Sequence, residues 1–417
     1  MYDHPVRLTN EEGLERSRLT VFFRLLLALP HIVWFVLWSI AVFFVGVLSW
    51  FATLARGRPP LSCHNFLTAF VRYGAHLSAY LSLTSNLFPG FAGRPGSYPV
   101  DVHLPQEPQE QNRWKTGFRL ILAIPALFMD GAFTGGARSG YSYSGGVLWT
   151  NAFLAWWACL FTGRMPEGLR DLNLVALRYG AQTGAYALLI TERYPDADPF
   201  VEPTPASAPY HPVRLTTDAD DMSRSRLTVF FRIVLVIPHY IWLLLWSILV
   251  FLVAIVAWFA ALFTARVPEG IHNFLTRFVR YYTHVIAFLV LAGSPFPGFA
   301  GAHDSYPIDA QIDGPARQNR WKTGFRIFLA IPALFVSSAL GSTMFVAALL
   351  GWFAALFTGR MPRNLRQAQL LALRYNAQLA AYGLLLTDRY PYASPAPPAA
   401  AAEAAPAEPT QPLVEPA

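Results

Sequence analysis

Four arginines stand in the middle of otherwise apolar segments. Each is followed at helical spacing by a hydrogen-bonding residue and then an aromatic one: Arg72, His76, Tyr80; Arg178, Gln182, Tyr186; Arg280, His284, Phe288; Arg374, Gln378, Tyr382. Positions i, i+4 and i+8 share one face of an α-helix. A guanidinium carries five donors and no acceptor. No Asp or Glu lies inside an apolar run, the nearest being Asp130 and Asp171. The donors must therefore go to Gln, His, Tyr, main-chain carbonyls, lipid phosphate or an anionic ligand. Two chemistries fit: an anion or headgroup site lined by these residues, or ties that hold helices together. Recurrence of the stripe at four places favours the ties.

Other chemistry finds less footing. Eight of the ten histidines pair between the two halves of the chain, as His4 with His211, His31 with His239, His64 with His272 and His76 with His284. None has a zinc-ligand spacing such as HExxH, so no metal site is expected. Facing helices could present His76 and His284 to a haem, but no Cys-x-x-Cys-His accompanies them, and no cofactor is expected. There is no GxSxG and no phosphate-cradling glycine loop. Cys63 and Cys159 form neither a CxxC nor a disulfide framework. The reading is of a protein that is not an enzyme.

The elements that must position these residues follow from composition and repetition. The 417 residues are 54% hydrophobic and 14% charged, against about 25% charged in an ordinary soluble domain. Such a chain cannot cover itself with polar surface, which points to an all-α integral membrane protein. Its net charge of +7 sits beside apolar segments, where the phospholipid bilayer and its anionic headgroups are nearer partners than nucleic acid. SRLTVFFR at 17–24 recurs at 225–232, HNFL at 64–67 recurs at 272–275, and PGFAG at 89–93 recurs at 297–301, at an offset of 208. Later matches shift to 196 because the first copy holds about eleven extra residues in the Gly/Ser/Tyr-rich insertion 130–146. Each half is itself a weaker duplication, giving four quarters. The domains are then 1–194 and 210–391, joined by a Pro-rich linker at 195–209 and followed by an Ala/Pro-rich tail at 392–417 that is expected to be disordered.

The order YPVRL, FFRLLLALPH, an apolar run, WFAxLFTGRxPxG and a closing RY helix ending in TDRYP resembles the bacterial membrane family known as domain of unknown function 4389, in tandem. The resemblance covers roughly residues 1–391. It implies an integral membrane protein and brings no catalytic residues. The chain departs from the pattern at Ala55 and Arg56, where other quarters have Phe-Thr, and at the insertion.

Length and charge suggest a topology. His31 to Leu54 and His239 to Phe263 are long and apolar enough to cross about 30 Å of hydrocarbon, as is Ala333 to Phe357, whereas the insertion leaves only Val147 to Phe161 uninterrupted. Pro30, Pro125, Pro238 and Pro332 should break or kink a helix, so each FRxxLAxP box reads as a short interfacial helix. Its arginine (Arg24, Arg119, Arg232, Arg326) would then be an anchor at headgroup level. Trp34, Trp38 and Trp50 suit aromatic belts. The second helices, 65–83 and 172–190 in the first copy, either cross as partners in hairpins or lie at the interface; crossing, with eight spans in all, is favoured. The strand-like elements (His4 to Leu8, Tyr98 to Leu104, His211 to Leu215, Tyr306 to Ile312) would lie outside the membrane on one side. That side would carry 18 basic residues against 8 on the TGR-loop side, making strands and termini cytoplasmic in a multi-pass inner-membrane protein. The insertion reads as a loop at the cytoplasmic rim. The functional expectation is a non-enzymatic scaffold or lipid-interacting protein. A small-anion transporter or pore comes next, and a lipid-modifying membrane enzyme is the weakest reading.

Overall fold

The computed structural model describes residues 4–135, 146–201 and 209–396. The four-quarter organisation is present and the chain is predominantly helical. The first quarter runs β1 (Arg7–Asn10), α1 (Arg18–Arg56) and α2 (Leu61–Leu81). The second runs β2 (Val100–His103), α3 (Arg113–Gly117), α4 (Arg119–Thr134), α5 (Gly146–Thr162) and α6 (Glu167–Ala187). The third runs β3 (Val213–Thr217), α7 (Arg226–Thr264) and α8 (Glu269–Leu289), and the fourth β4 (Ile308–Ile312), α9 (Arg320–Gly324), α10 (Arg326–Thr358) and α11 (Arg363–Gly383). Local signals set the boundaries. The side chains of Asn112 and Asn319 accept from the first N–H groups of α3 and α9, and α1 and α10 stop at Gly57 and Gly359, both in the left-handed region.

The expected break at the repeated prolines does not occur. Pro30 and Pro238 lie inside continuous 39-residue helices and Pro332 inside one of 33. A proline deletes one helical hydrogen bond, and the next residue in two of these helices, His31 or His239, is buried and bonded to Tyr73 or Tyr281 of the neighbouring helix. Packing on both sides of the proline holds the helix together. The short helices that do precede the long ones are the RWKTG segments, α3 and α9.

The elements form three layers. In the first, α1 packs on α5, α4 and α5 on α10, and α10 on α7. Neighbours in this row are antiparallel. The end of α5 meets the start of α1, where Trp156 donates to the Val21 carbonyl, and the end of α1 meets α3, where Trp50 donates to the Thr116 carbonyl. Trp352 to Val229 and Trp258 to Thr323 do the same for α10 and α7. Phe153 of α5 packs on Phe335 of α10. Above this row lie the short helices, with α2 on α6 and α8 on α11. The third layer is two antiparallel strand pairs, β1–β2 and β3–β4, with Leu8 opposite Val102 and Leu215 opposite Ala310. The four expected strand elements therefore all form. They rest on α6 and α2, and on α11 and α8, and not on the long helices.

The short helices pack inside the molecule: almost every residue of α2 and α6 is buried or half-buried, between the long helices on one side and the strands on the other. The TGR turns do not form a face opposite the strand-bearing segments. Glu15 bridges to Arg164 and Ser223 to Arg360, so each segment leading into α1 or α7 is paired with a TGR turn. Inversion of alternate quarters produces this, and it dissolves the 18-to-8 partition. The loop expected at the cytoplasmic rim falls on residues 136–145, which lie outside the described residues; on either side of them α4 closes at Gly135 and α5 opens at Gly146, where a Cβ on Gly146 would sit 2.4 Å from the Gly135 nitrogen. Asp196–Val201 and Tyr392–Ala396 are packed against α6 and α11, while the rest of the expected linker and tail, 202–208 and 397–417, lies outside the described residues. Tryptophans assigned to belts have specific partners: Trp34 donates to the Phe91 carbonyl, and Trp38 sits among Phe66, Phe70 and Tyr73.

Candidate functional site

The polar stripes face the strand layer. In α2, Arg72 donates to the carbonyls of Val102 and Gly93 at 3.1 Å each, and His76 Nε2 lies 2.7 Å from Asp101 Oδ1. In α8, Arg280 donates to the Ala310 carbonyl and His284 pairs with Asp309 at 2.8 Å. Both aspartates project from the strands, at matching places in YPVDV and YPIDA. Burial alone would raise their carboxyl pKa, but hydrogen bonds from the histidine and from main-chain N–H groups outweigh it and hold both below the usual range. Gly93 belongs to the repeated PGFAG. With φ of +55°, its Cα comes so close to α2 that a Cβ would lie 2.1 Å from the Ala69 carbonyl oxygen, and Gly301 repeats this at Arg277.

The even quarters tie a different partner. Arg178 donates to the carbonyls of Asp198 and Val201, and Arg374 to those of Ser394 and Ala396. Gln182 donates to the Val6 carbonyl beside β1 and accepts from the Asp196 N–H. Gln378 does the same with Val213 and Tyr392. One amide thus holds a strand and an extended segment to one helix. His4 and His211 lie just before β1 and β3. Each imidazole Nδ1 lies within hydrogen-bonding distance of the N–H two residues on, and desolvation pushes the His211 pKa down to about 4.

The third stripe position joins the set expected to be interfacial anchors. Arg24 lies over the Tyr80 ring at 4.4 Å, Arg119 over Tyr186 at 4.1 Å, Arg232 over Phe288 at 4.3 Å and Arg326 over Tyr382 at 4.6 Å. These four arginines are only 1–3% exposed, so their guanidiniums are turned to protein partners. They close the C-termini of the short helices, where a cation also meets the negative end of the helix dipole. Arg24 donates to the carbonyls of Tyr80 and Ser85, Arg232 to those of Phe288 and Gly293, and Arg326 to those of Tyr382 and Thr387. Arg119 reaches the Thr191 carbonyl and Gln111.

Each closure contains a leucine in the left-handed region: Leu83, Leu189, Leu291 and Leu385, φ 58–64°. That conformation costs a non-glycine residue roughly 1–2 kcal/mol. It persists because each leucine side chain is buried and each carbonyl is taken, by Arg16, Gln111, Arg224 and Gln318 in turn. Arg24, Arg119, Arg232 and Arg326 thus belong to four repeated clamps, and the sequence reading missed their partners Arg16, Gln111, Arg224 and Gln318. The signal was present in the repeat, since Gln111 and Gln318 open the matching QNRWKTGFR boxes and Arg16 and Arg224 precede the matching SRLTVFFR boxes.

The stripes therefore do not converge on a common chamber; each belongs to its own clamp. His76 and His284 are each engaged by the aspartate of their own strand. Among the described residues, His303, Asp304 and Asp309 form a cluster with metal-ligand proximity, but Asp309 is already committed to His284 and the Asp304 N–H. What remains unengaged by protein is the apolar side of the long helices. Leu25, Leu26, Phe44 and Leu48 of α1, and Ile233, Leu244, Phe251 and Phe263 of α7, are all exposed. Three helices, α1, α7 and α10, are long and apolar enough to cross a membrane.

Neither a curated protein nor a solved structure matches the chain. The family described as "Domain of unknown function (DUF4389)" matches residues 18–92, 113–197, 226–300 and 320–394. These four segments coincide with the four clamp-bearing quarters, each running from its long helix through its short helix to the closure beyond. The chain belongs to the DUF4389 family and consists of four tandem copies of its domain.

Proposed function

We propose that this protein is a non-enzymatic, lipid-interacting membrane scaffold of the inner membrane. One observation carries the reading: the long helices leave a broad row of Leu, Ile, Val and Phe side chains uncovered, far beyond the few hundred Å² of apolar patch a soluble monomer tolerates. The arginines, histidines and glutamines of the four stripes are engaged in internal ties. This removes the support for an anion pore, because the guanidiniums that would line it donate to the main chain. The decisive experiment is flotation of the purified protein with liposomes containing phosphatidylglycerol, followed by an alkaline carbonate wash. The reading requires the protein to stay with the lipid through the wash. Recovery in the soluble fraction as a folded monomer or closed oligomer would refute it.

A further inference from the structure

The layers also say how the protein meets lipid. We infer that the row made by the long helices α1, α7 and α10 together with α4 and α5 lies in the plane of the membrane, embedded in one leaflet as a raft, with the strand layer facing the aqueous phase. This inference rests on the proposed membrane role and adds its geometry. Three observations support it.

The first is where the strands sit along the helices. His31, Phe35 and Trp38, near the middle of α1, face Tyr73, Phe70 and Phe66 of α2. Arg72 and His76, on the far side of that same stretch, hold β2 and the loop at Gly93. If α1 stood upright in a bilayer, β1, β2 and their irregular loops would lie at its mid-plane. Lipid-exposed irregular backbone and open strand edges do not occur in hydrocarbon, where an unpaired main-chain group finds no water. With the raft in the plane, those same elements stand above the membrane.

The second is length. Exposed apolar residues of α1 run from Leu19 to Phe51, about 48 Å at ~1.5 Å per residue, against roughly 30 Å of hydrocarbon. The exposed face also has the shape of one side of a raft. The most apolar stretches of the outer helices α1 and α7 are 11% and 17% buried, while that of α10, flanked on both sides, is 39% buried. Even so, α10 keeps a stripe at helical spacing open, through Phe328, Ile331, Phe335, Phe345, Leu349 and Phe353.

The third is charge. Because neighbours alternate in direction, exposed basic residues gather at both ends of the row. One end holds Arg18, Arg164, Arg266, Arg320 and Lys322; the other holds Arg56, Arg58, Arg113, Lys115, Arg226 and Arg360. A crossing bundle places its basic excess on one side. A raft lying flat needs cations at both ends, where each meets anionic headgroups, as polar flanks of in-plane helices do. Trp114 and Trp321, among the most exposed aromatics of the chain, stand one at each end.

The test uses three positions on one face of α1. Leu26, Leu37 and Leu48 are all exposed, and spacing by eleven residues returns almost to the same direction. Single-cysteine variants Leu26→Cys, Leu37→Cys and Leu48→Cys, made with Cys63→Ser and Cys159→Ala, are spin-labelled. They are then reconstituted in phosphatidylethanolamine/phosphatidylglycerol vesicles, and depth is read from collisions with oxygen and with a water-soluble nickel chelate. Variants are admitted when their helicity and thermal midpoint match the parent. The matching trio Val234→Cys, Leu245→Cys and Val256→Cys on α7 gives an independent reading. The inference requires all three depths on a helix to agree within a few ångströms, in one leaflet. A label at position 37 at the bilayer centre, with 26 and 48 at opposite headgroup levels, would overturn it while leaving membrane residence intact. Labels shielded from both reagents would overturn it in favour of a second copy covering the face. Failure to float with vesicles at all would instead refute the proposed function.

Discussion

Helix α1 exposes Leu26, Leu37 and Leu48 along its length, while α2, one turn further along the chain, buries Arg72 and His76. The same contrast separates α7 from α8. Burial here tracks hydrogen-bonding opportunity instead of polarity. An arginine is accepted inside because strand carbonyls, an aspartate or the end of a helix meet its donors. Leucines stay outside because nothing in the protein lies beyond them. The long helix supplies contact area and the short helix supplies specificity, and the two can be damaged separately.

The strongest way to break that contrast is to remove a clamp. Replacing Arg232 by Met keeps the apolar stem but strands the Gly293 carbonyl, takes the charged donor from the Phe288 carbonyl, which keeps the Leu291 N–H, and empties the face of the Phe288 ring. A buried acceptor left unpaired costs roughly 1–3 kcal/mol and a lost bond to a charged donor roughly 1.5–3 kcal/mol, so thermal unfolding in detergent should show a loss of about 2–5 kcal/mol, or no folded protein. A loss under 1 kcal/mol would mean that the short-helix layer does not depend on its buried charge. Gly93→Ala comes next. Its Cβ would strike the Ala69 carbonyl oxygen and hold a left-handed φ, at a cost on the order of 1–3 kcal/mol. Gly90→Ala, three residues earlier in open space, serves as the control and should be nearly silent.

These two residues also show how far the sequence could be read. The repeat grammar announced four equivalent units, and period-two patterning located all four strands, because both signals are local. The partners of Arg232 and Gly93 are not local. Arg232 bonds to main chain 56 and 61 residues away, and a carbonyl acceptor leaves no mark on residue identity. Asp101 lies outside the apolar runs, and only the fold brings it to His76. The inverted order of the quarters escaped for the same reason. Equal motifs in a sequence carry no direction in space, and counting charge by motif assumed that like elements share a side. Pro30 misled because a rule for isolated helices was applied where packing decides.

The strand layer offers a gentler probe, through pH. His211 holds its pKa near 4 because burial disfavours the imidazolium, while the unfolded chain titrates near 6.5. Between these values the unfolded state binds the extra proton, so stability falls as pH drops from about 6.5 toward 4. Asp309, held below its usual range by His284 and main-chain donors, adds a further loss only as pH falls below the ordinary carboxylate value near 3.8. The midpoint of thermal unfolding should decline in two successive stages on acidification. Asp309→Asn should shrink the lower stage, leaving the share that Asp101 contributes in the same way, at a cost of about 1–3 kcal/mol at neutral pH. A midpoint flat from pH 7 to 4.5 would show that the His211 site is open to water.

The smallest effect on folding is expected where the molecule is most apolar. Leu37 is 55% exposed, so Leu37→Ala removes side chain that touches little protein and should shift stability in detergent by no more than about 0.5 kcal/mol. The same change should be felt in lipid, since each methylene that leaves hydrocarbon forfeits about 0.8 kcal/mol. Replacing Leu26, Leu37 and Leu48 together by Ala should therefore weaken vesicle partitioning by several tens-fold or more while the thermal midpoint in detergent stays put. Val42→Ala, a buried position on the same helix, should do the reverse, lowering the midpoint and leaving partitioning unchanged. If both substitutions moved both quantities together, the outer face of α1 would be part of a protein core, and the separation between a lipid-facing helix and a clamp-bearing helix would fail.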